Sequence, residues 1–326
     1  MKNVSILVPE TAVIEAVADP HYMFNAVNQF LESAGKSPLF QVQLVGEKKE
    51  VKLNGSLFSV HTDQLLHEVK KTDLIFVPAI SGDVRKAVEV NKNLLPWIVS
   101  QYQHGAEVAS LCIGAFLLAS TGLLKGKKCS THWNAATDFR TMFPDVELVD
   151  GSIITEENGI YSSGGANSYW TLLLYLVEKY TDRETAILAS KFFAVDIDRD
   201  SQAAYMMFKG QKDHGDEVVK QAQEYIEKNI PDKLSVDELA DRFNTGRRTF
   251  ERRFKQATNN SVLEYIQRIK IEAAKRSFES SRKNINEVMY DVGYSDTKAF
   301  RSIFKKVTGL TPIEYRNKYA KIGVMN

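Results

Sequence analysis

The stretch ASLCIGAFLLAS, residues 109–120, climbs through small and apolar side chains to a cysteine, then breaks at Ile113-Gly114 into a helical pattern. A cysteine mounted on the sharp turn between a strand and a helix presents its sulfur beyond the sheet, so Cys112 is a candidate nucleophile. Thiol catalysis also needs a partner that lowers the thiol pKa and donors that hold the developing oxyanion. His132 stands twenty residues on and is a candidate partner; it reads as a core histidine or as a ligand contact. Without converging help, Cys112 is a small buried side chain at a demanding turn, or a ligand contact without turnover, and that reading is preferred. Cys129, beside Lys125, Lys127 and Lys128, packs or lies exposed without a role. Two cysteines in 326 residues make no disulfide framework, no Cys/His spacing suggests zinc, and neither metal nor cofactor is implied.

The other chemistry-bearing residues are cationic. From residue 211 onward the chain carries 23 Lys and Arg against 17 Asp and Glu, while the first 210 residues carry the remaining 19 against 24. A basic third behind an acidic body suits a nucleic-acid-binding appendage. Within it a unit occurs twice: Phe250, Phe254, Lys255 and Thr258 return fifty positions later as Phe300, Phe304, Lys305 and Thr308. Ser235 with Glu238, and Asn284 with Glu287, have the spacing of capping boxes at a first helix. A short turn follows, through Asn244-Thr245-Gly246 or Gly293-Tyr294-Ser295. The second helix then turns its Phe(i)/Phe(i+4) pair inward, leaving Arg247, Arg248, Thr249, Glu251, Arg252 and Lys255 outward in the first copy. In the second copy Thr297, Lys298, Arg301, Ser302 and Lys305 face out. Short helix, tight turn and polar-faced second helix make a helix-turn-helix, whose second element fits the major groove. The two units are expected at about residues 235–256 and 284–307. The helical stretch 261–280 between them would span about 30 Å, close to one turn of duplex.

The elements that must hold Cys112 lie further forward. Segments 4–9, 40–46, 73–78 and 107–111 read as strands, and 22–33, 83–104 and 115–121 as helices. Strands apolar throughout, alternating with helices, imply an α/β domain with a largely parallel sheet covered on both faces. Ligands bind such sheets beyond the carboxyl ends of the strands, where Pro9-Glu10, the run Pro78 to Gly82 with Ser81, and Cys112 all fall. The turn Ser163-Gly164-Gly165-Ala166-Asn167 precedes a helical pattern; its amides hold an anionic group, or it is simply a glycine turn. The expected organisation is an α/β domain over 1–206, a polar linker over 207–215, and an all-α domain over 216–326. No apolar run approaches the roughly 18 residues that span a bilayer, and no secretory signal is read at the N-terminus, so a cytoplasmic protein is expected.

Residues 236–315 resemble the tandem helix-turn-helix domain of the AraC/XylS family of bacterial transcription regulators. The resemblance rests on Leu239-Ala240, Arg248-Thr249-Phe250, Arg252-Arg253-Phe254-Lys255, Ala274, Val292-Gly293-Tyr294, Phe300, Phe304-Lys305, Gly309, Thr311-Pro312 and Tyr315-Arg316. Gly246 departs from the usual serine cap, Asn259-Asn260 from the usual turn, and Met289 from a small alanine. The segment EVASLCIGAFLLASTGLLKGKKCSTHW resembles the cysteine elbow of the flavodoxin-like, class I glutamine-amidotransferase-like fold, the PfpI superfamily. Its GlxA-like regulator branch also fits Thr131-His132-Trp133 and, from Lys191-Phe192-Phe193 onward, Arg199, Gln202, His214 and Asp216. Enzymes of that superfamily place a His after the Cys, a Glu after the first strand and a Pro-Gly-Gly loop. This chain has Ile113, then Ala12 with Glu10 and Glu15 offset, then Pro78-Ala79-Ile80.

These resemblances imply a non-enzymatic, DNA-binding transcription regulator. The ligand residues expected in front are Glu10, Glu15, Ser81, Cys112, Ile113, His132, Gly165 and Asn167. The implied partners are double-stranded promoter DNA, an unidentified small effector, a second copy of the chain, and RNA polymerase as a candidate. The rival reading is a cysteine-dependent hydrolase or hydratase with an accessory helical domain.

Overall fold

In the computed structural model, residues 1–320 are described except 198–200, 209 and 213, so Arg199, Lys209 and Asp213 lie outside the described residues. The chain divides into two units, residues 1–202 and residues 203 onward.

The strands of the front unit are β1 (Lys2–Leu7), β2 (Phe40–Gly46), β3 (Glu50–Leu53), β4 (Phe58–His61), β5 (Gln64–Leu65) and β6 (Leu74–Val77). After them come β7 (Glu107–Leu111), β8 (Lys128–Cys129), β9 (Glu147–Leu148), β10 (Ile154–Glu157) and β11 (Ile160–Ser163). Its helices are α1 (Ile14–Ser33), α2 (Val84–Val90), α3 (Leu94–Gln103), α4 (Ala115–Ser120), α5 (Ala136–Met142), α6 (Tyr169–Tyr180) and α7 (Arg183–Phe193). Seven strands form one sheet in the order β10-β11-β7-β6-β1-β2-β5, parallel throughout except for β10 against β11. The expected parallel α/β sheet is therefore present, with an antiparallel edge added. Leu74–Val77 is buried along its whole length, as a strand with helices on both faces must be. One layer of core packs α1, α6 and α7 against the sheet; the other packs α3, α4 and α5.

Three expectations shift. Helix α1 begins at Ile14 and runs through Pro20, because Ala16, Val17 and Pro20 all bury against the core. That burial outweighs the backbone bond a proline removes. The helical pattern at 83–104 breaks into α2 and α3 at Asn91, whose buried amide is spent on the Ala87 carbonyl, the Thr11 hydroxyl and the Glu10 N–H. The polar linker placed at 207–215 is no free tether. Phe208 packs into the rear core, its N–H bonds Glu272, and Gln223 bonds the Gln211 carbonyl, so the division falls at Gln202.

The rear unit holds α8 (Glu217–Lys228), α9 (Val236–Arg242), α10 (Arg247–Thr258), α11 (Val262–Ser280), α12 (Ile285–Asp291), α13 (Thr297–Thr308) and α14 (Pro312–Tyr319). Capping boxes close at Ser235/Glu238 and Asn284/Glu287, and again at Ser261/Glu264 and Thr311/Glu314. Phe250 and Phe254 are fully buried in one core; Phe300 and Phe304 are fully buried in the other, where Met289 packs beside them. The two turns use the same left-handed residue: Asn244 at φ 49° and Gly293 at φ 76°. Only glycine serves at the second, since a Cβ there would lie 2.1 Å from the Pro231 carbonyl oxygen.

Candidate ligand cavity and nucleic-acid interface

Cys112 sits at the expected elbow, directly after β7, with φ +54° in a region that non-glycine residues seldom enter. The turn is tight enough to demand glycine two residues on. A Cβ at Gly114 would meet the Val77 and Pro78 carbonyl oxygens at 2.4 and 2.5 Å. The Cys112 N–H donates to Ser163 Oγ at 3.4 Å, and its carbonyl accepts the Thr131 hydroxyl at 3.1 Å. Burial pushes the thiol up to about 12, so the sulfur is protonated at neutral pH. Cys129, also buried, is likewise pushed up to about 12 by burial.

Beyond the elbow lies a cavity of about 450 Å³. Its apolar wall is Val13, Ala79, Ile80, Ile113, Ala135 and Ala166, and Tyr169 adds an aromatic ring. Glu15, Cys112, His132, Asn134 and Asn167 supply the polar groups. Of the residues named from the sequence, Glu15, Cys112, Ile113, His132 and Asn167 line this one cavity. Glu10 and Ser81 are not among the lining residues. Glu10 pairs with Lys48, and the Ser81 hydroxyl and N–H are both spent on the Thr11 carbonyl, at 3.0 and 2.8 Å. Gly165 is also outside the lining; at φ +79° it shapes the turn that delivers Ala166 and Asn167.

Among the described residues no hydrogen bond joins a carboxylate or an imidazole to the Cys112 sulfur. The His132 Nδ1 accepts the Asn134 N–H at 3.1 Å, and burial holds the imidazole below its usual pKa, hence neutral. Among the described residues no hydrogen bond joins His132 to Cys112. Asp19 lies behind Tyr169, accepting its hydroxyl at 2.6 Å, and burial raises the carboxyl above its ordinary value. The arrangement is a mostly apolar pocket with a few orienting polar groups, suited to holding a small molecule. Asn134 and Tyr169 were missed in the sequence; the only hint was their adjacency to His132 and to the glycine turn.

In the rear unit, Arg247, Arg248, Thr249, Glu251, Arg252 and Lys255 on α10 are exposed, opposite the buried phenylalanines. Lys298, Arg301, Ser302 and Lys305 on α13 are exposed too, with Thr297 half-buried. Arg247 bonds Asp237 at 2.9 Å and Glu251 at 3.4 Å, and Lys255 donates to the Asn259 carbonyl at 2.8 Å. Arg253 faces inward and makes a bidentate pair with Asp216 at 2.6 and 2.8 Å. Asp296 caps α13 through the Lys298 and Ala299 N–H groups, whereas Gly246 offers α10 no side-chain cap. The helix joining the units, α11, has 19 residues and so spans about 28 Å at 1.5 Å per residue.

Residues 12–179, more than half the chain, match the model of the DJ-1/PfpI family. The chain belongs to the DJ-1/PfpI family. Behind that domain, residues 239–318 match a helix-turn-helix domain, of AraC type. This DJ-1/PfpI chain is 24% identical to the HTH-type transcriptional regulator GbdR of Pseudomonas aeruginosa over 73% of its own length and 65% of the relative's. It is 28% identical to the HTH-type transcriptional regulator ArgR of the same species, over 66% of this chain and 65% of that protein. It therefore spans just under two thirds of these relatives. A structure from Vibrio parahaemolyticus, solved as a candidate transcriptional regulator, superposes with TM-score 0.53 at 21% identity over 59% of this chain and 98% of that one, which bears on fold. Among the described residues, no helix is long and apolar enough to cross a membrane, and no group of three or more His, Cys, Asp or Glu could hold a metal.

Proposed function

We propose that this DJ-1/PfpI chain is a sequence-specific transcription regulator that reads promoter DNA with α10 and α13 and holds a small effector in the front cavity without turnover. One observation carries the DNA-binding half. In both copies the phenylalanine pair is buried and the opposite face of the same helix presents exposed Arg and Lys. An exposed cationic helix beside a properly capped partner is the geometry of groove reading. Absence of turnover is supported by the protonated, buried thiol and by a histidine whose ring nitrogen is already bonded elsewhere. The names of the relatives agree with the regulator reading. Pairing with a second copy through the front unit, contact with RNA polymerase and a cytoplasmic location belong to the same proposal. A tethered second reader raises effective affinity without any new contact.

The test is selection of bound fragments from sheared genomic DNA by the purified full chain. Recurrent fragments sharing a sequence are expected, and an Arg248→Ala, Arg301→Ala double variant should lose them. Retention of the same fragments by that variant would remove these helices from the reading. For the effector half, a thermal-shift screen of amines, amino acids and betaine-like metabolites should find a stabilising compound. Ile113→Trp, which fills the cavity, should abolish that shift while leaving DNA binding in place.

A further inference from the structure

The front cavity has a charge balance that bears on what it holds. Among the described residues lining it, Glu15 alone carries a formal charge, and no Lys or Arg faces it. His132 adds no positive charge: with Nδ1 accepting the Asn134 N–H, the neutral ring keeps its one proton on Nε2. A second carboxylate stands just behind the wall. Asp19 lies one helical turn along α1 from Glu15 and accepts the hydroxyl of Tyr169, whose ring belongs to the lining. Burial first, then the charges of Asp19 and Glu15, hold that hydroxyl protonated, so the three groups lie close together. Among the described residues neither carboxylate forms an ion pair. Glu15 suits the amino end of α1 for the sake of the helix dipole, but that does not account for Asp19 a turn further on. Like charges four residues apart on a helix repel. Burial, with a smaller contribution from Glu15, holds the Asp19 carboxyl above its ordinary pKa. Two carboxylates beside one cavity, with no cation to answer them, make its potential negative and favour a positive occupant.

The rest of the lining fits that occupant. An aromatic ring next to a carboxylate attracts an ammonium group from two sides. Val13, Ala79, Ile80, Ile113 and Ala166 form a wall suited to methylene or methyl groups, and about 450 Å³ is a small volume for a ligand pocket. An anion finds much less. At the turn 163–167, the Gly164 N–H is spent on the Ile153 carbonyl at 2.9 Å. A Cβ at Gly164 would fall 1.8 Å from Gln202 Nε2, and one at Gly165 would fall 2.5 Å from Ser168 Oγ. The space beside both glycines is therefore filled by the chain's own side chains. Elsewhere in the cavity a carboxylate would meet Glu15, with only the neutral amides of Asn134 and Asn167 to offset it.

We propose that the cavity takes a small organic cation, an ammonium on a short aliphatic body without carboxylate or phosphate, held between Glu15 and the Tyr169 ring. Glu15 selects by charge, and Asp19 reinforces it from behind the ring. This rests on the effector reading of the cavity and names the ligand class that reading leaves open.

Thiol labelling of the full chain decides it. Ala166 is exposed and lines the cavity, so Ala166→Cys puts a reactive thiol in the wall, while Cys112 and Cys129, buried and protonated, label too slowly to interfere. Two thiosulfonate reagents of similar size, one bearing a trimethylammonium and one a sulfonate, report the local charge. Their rate ratio, cation over anion, should exceed that of Leu57→Cys on the exposed tip between β3 and β4 by on the order of tenfold. Glu15→Gln, which keeps the shape, should remove most of that excess. Occupancy is read with an uncharged methyl thiosulfonate. Millimolar butylammonium or tetramethylammonium should slow labelling of the Ala166→Cys thiol several-fold, and Glu15→Gln should abolish that protection. Butanol, butyrate and 4-aminobutyrate at the same concentration should protect little. Equal protection by butyrate or 4-aminobutyrate, no protection by either cation, or a rate ratio that Glu15→Gln leaves unchanged overturns the proposal. A neutral or anionic compound whose thermal shift Ile113→Trp abolishes would keep the effector reading and discard the cation, so the two failures are told apart.

Discussion

At Cys112 the protein has kept the backbone of a nucleophile elbow while surrounding the sulfur with groups that suppress its ionisation. Burial is the cause of the raised thiol pKa, and the Ile113 N–H offsets it only in part. A shift from 9 to about 12 lowers the thiolate fraction at pH 8 roughly a thousandfold. Iodoacetamide should therefore modify Cys112 and Cys129 in the native chain on the order of a thousand times more slowly than in the urea-unfolded chain. Fast labelling of Cys112 alone would reveal an activated thiolate and revive the hydrolase reading. The sign of the stability effect follows. A thiol whose folded pKa is raised contributes stability that is complete below the unfolded pKa near 9 and is lost as pH climbs toward about 12. The alkaline decline of Tm should accordingly be shallower in Cys112→Ala than in the parent, and an identical decline would mean that the thiol is exposed. Gly114 carries the strictest steric demand at the elbow, because the atoms facing its missing Cβ are backbone. Gly114→Ala should cost about 2–4 kcal/mol by urea titration, and a cost below 0.5 kcal/mol would mean that the turn relaxes freely.

Among elements, α11 does more than space the two helix-turn-helix units. Its Lys270 is buried and donates to the Asp232 carbonyl ahead of α9 at 3.0 Å and to the Val292 carbonyl at the end of α12 at 3.1 Å. One ammonium thereby fastens the approach to the first motif and the turn of the second to the same point of the helix between them. Lys270→Met strips two carbonyls of their donor, the buried one of Val292 among them, and should cost the rear unit about 1–3 kcal/mol in chemical denaturation. No loss of stability would show that water replaces the ammonium at no cost. The duplicated motif was legible before any coordinates because Phe250/Phe254 and Phe300/Phe304 repeat at helical spacing and the capping pairs mark each start. Strands β10 and β11 were not: four residues each, with Glu156, Glu157, Ser162 and Ser163 among them, they have neither a long apolar run nor a clear alternation. The site was half legible for a related reason. Strand ends tell where a crevice lies, but loop pairing decides which side chains turn into it. The segment around Ile80 pairs with that around Ala12, which puts Ile80 in the wall and leaves Ser81 bonded to Thr11. Lys270 gave no sign at all, since a lysine in an amphipathic helix ordinarily faces water.

For the molecule as a whole, a net charge of +1 conceals an acidic front and a basic rear, and that separation sets how the chain should meet DNA. The front repels the polyanion, so non-specific adhesion is confined to the rear, where attraction is concentrated on two helix faces. Among the described residues, Arg248, Arg252, Lys298 and Arg301 make no ion pair or side-chain hydrogen bond, so they reach a phosphate or a base edge without first breaking an internal contact. Arg247 differs, because Asp237 and Glu251 must release it first. Four phosphates neutralised by these side chains correspond to a salt slope of about −3.6, so doubling the salt should weaken binding about twelvefold. Anisotropy titrations of the full chain against a selected duplex, over a range of KCl concentrations, measure that slope directly. Arg252→Ala should make it shallower by about 0.9 if Arg252 touches phosphate; if it reads a base, the slope should hold while preference at one base pair relaxes. Asp237→Asn, which leaves Arg247 with Glu251 as its one ion-pair partner among the described residues, should strengthen binding rather than weaken it, because it removes both a competing charge on Arg247 and a charge that repels the duplex. A slope near zero in the parent chain, or Asp237→Asn binding more weakly, would mean that these helix faces do not meet the duplex.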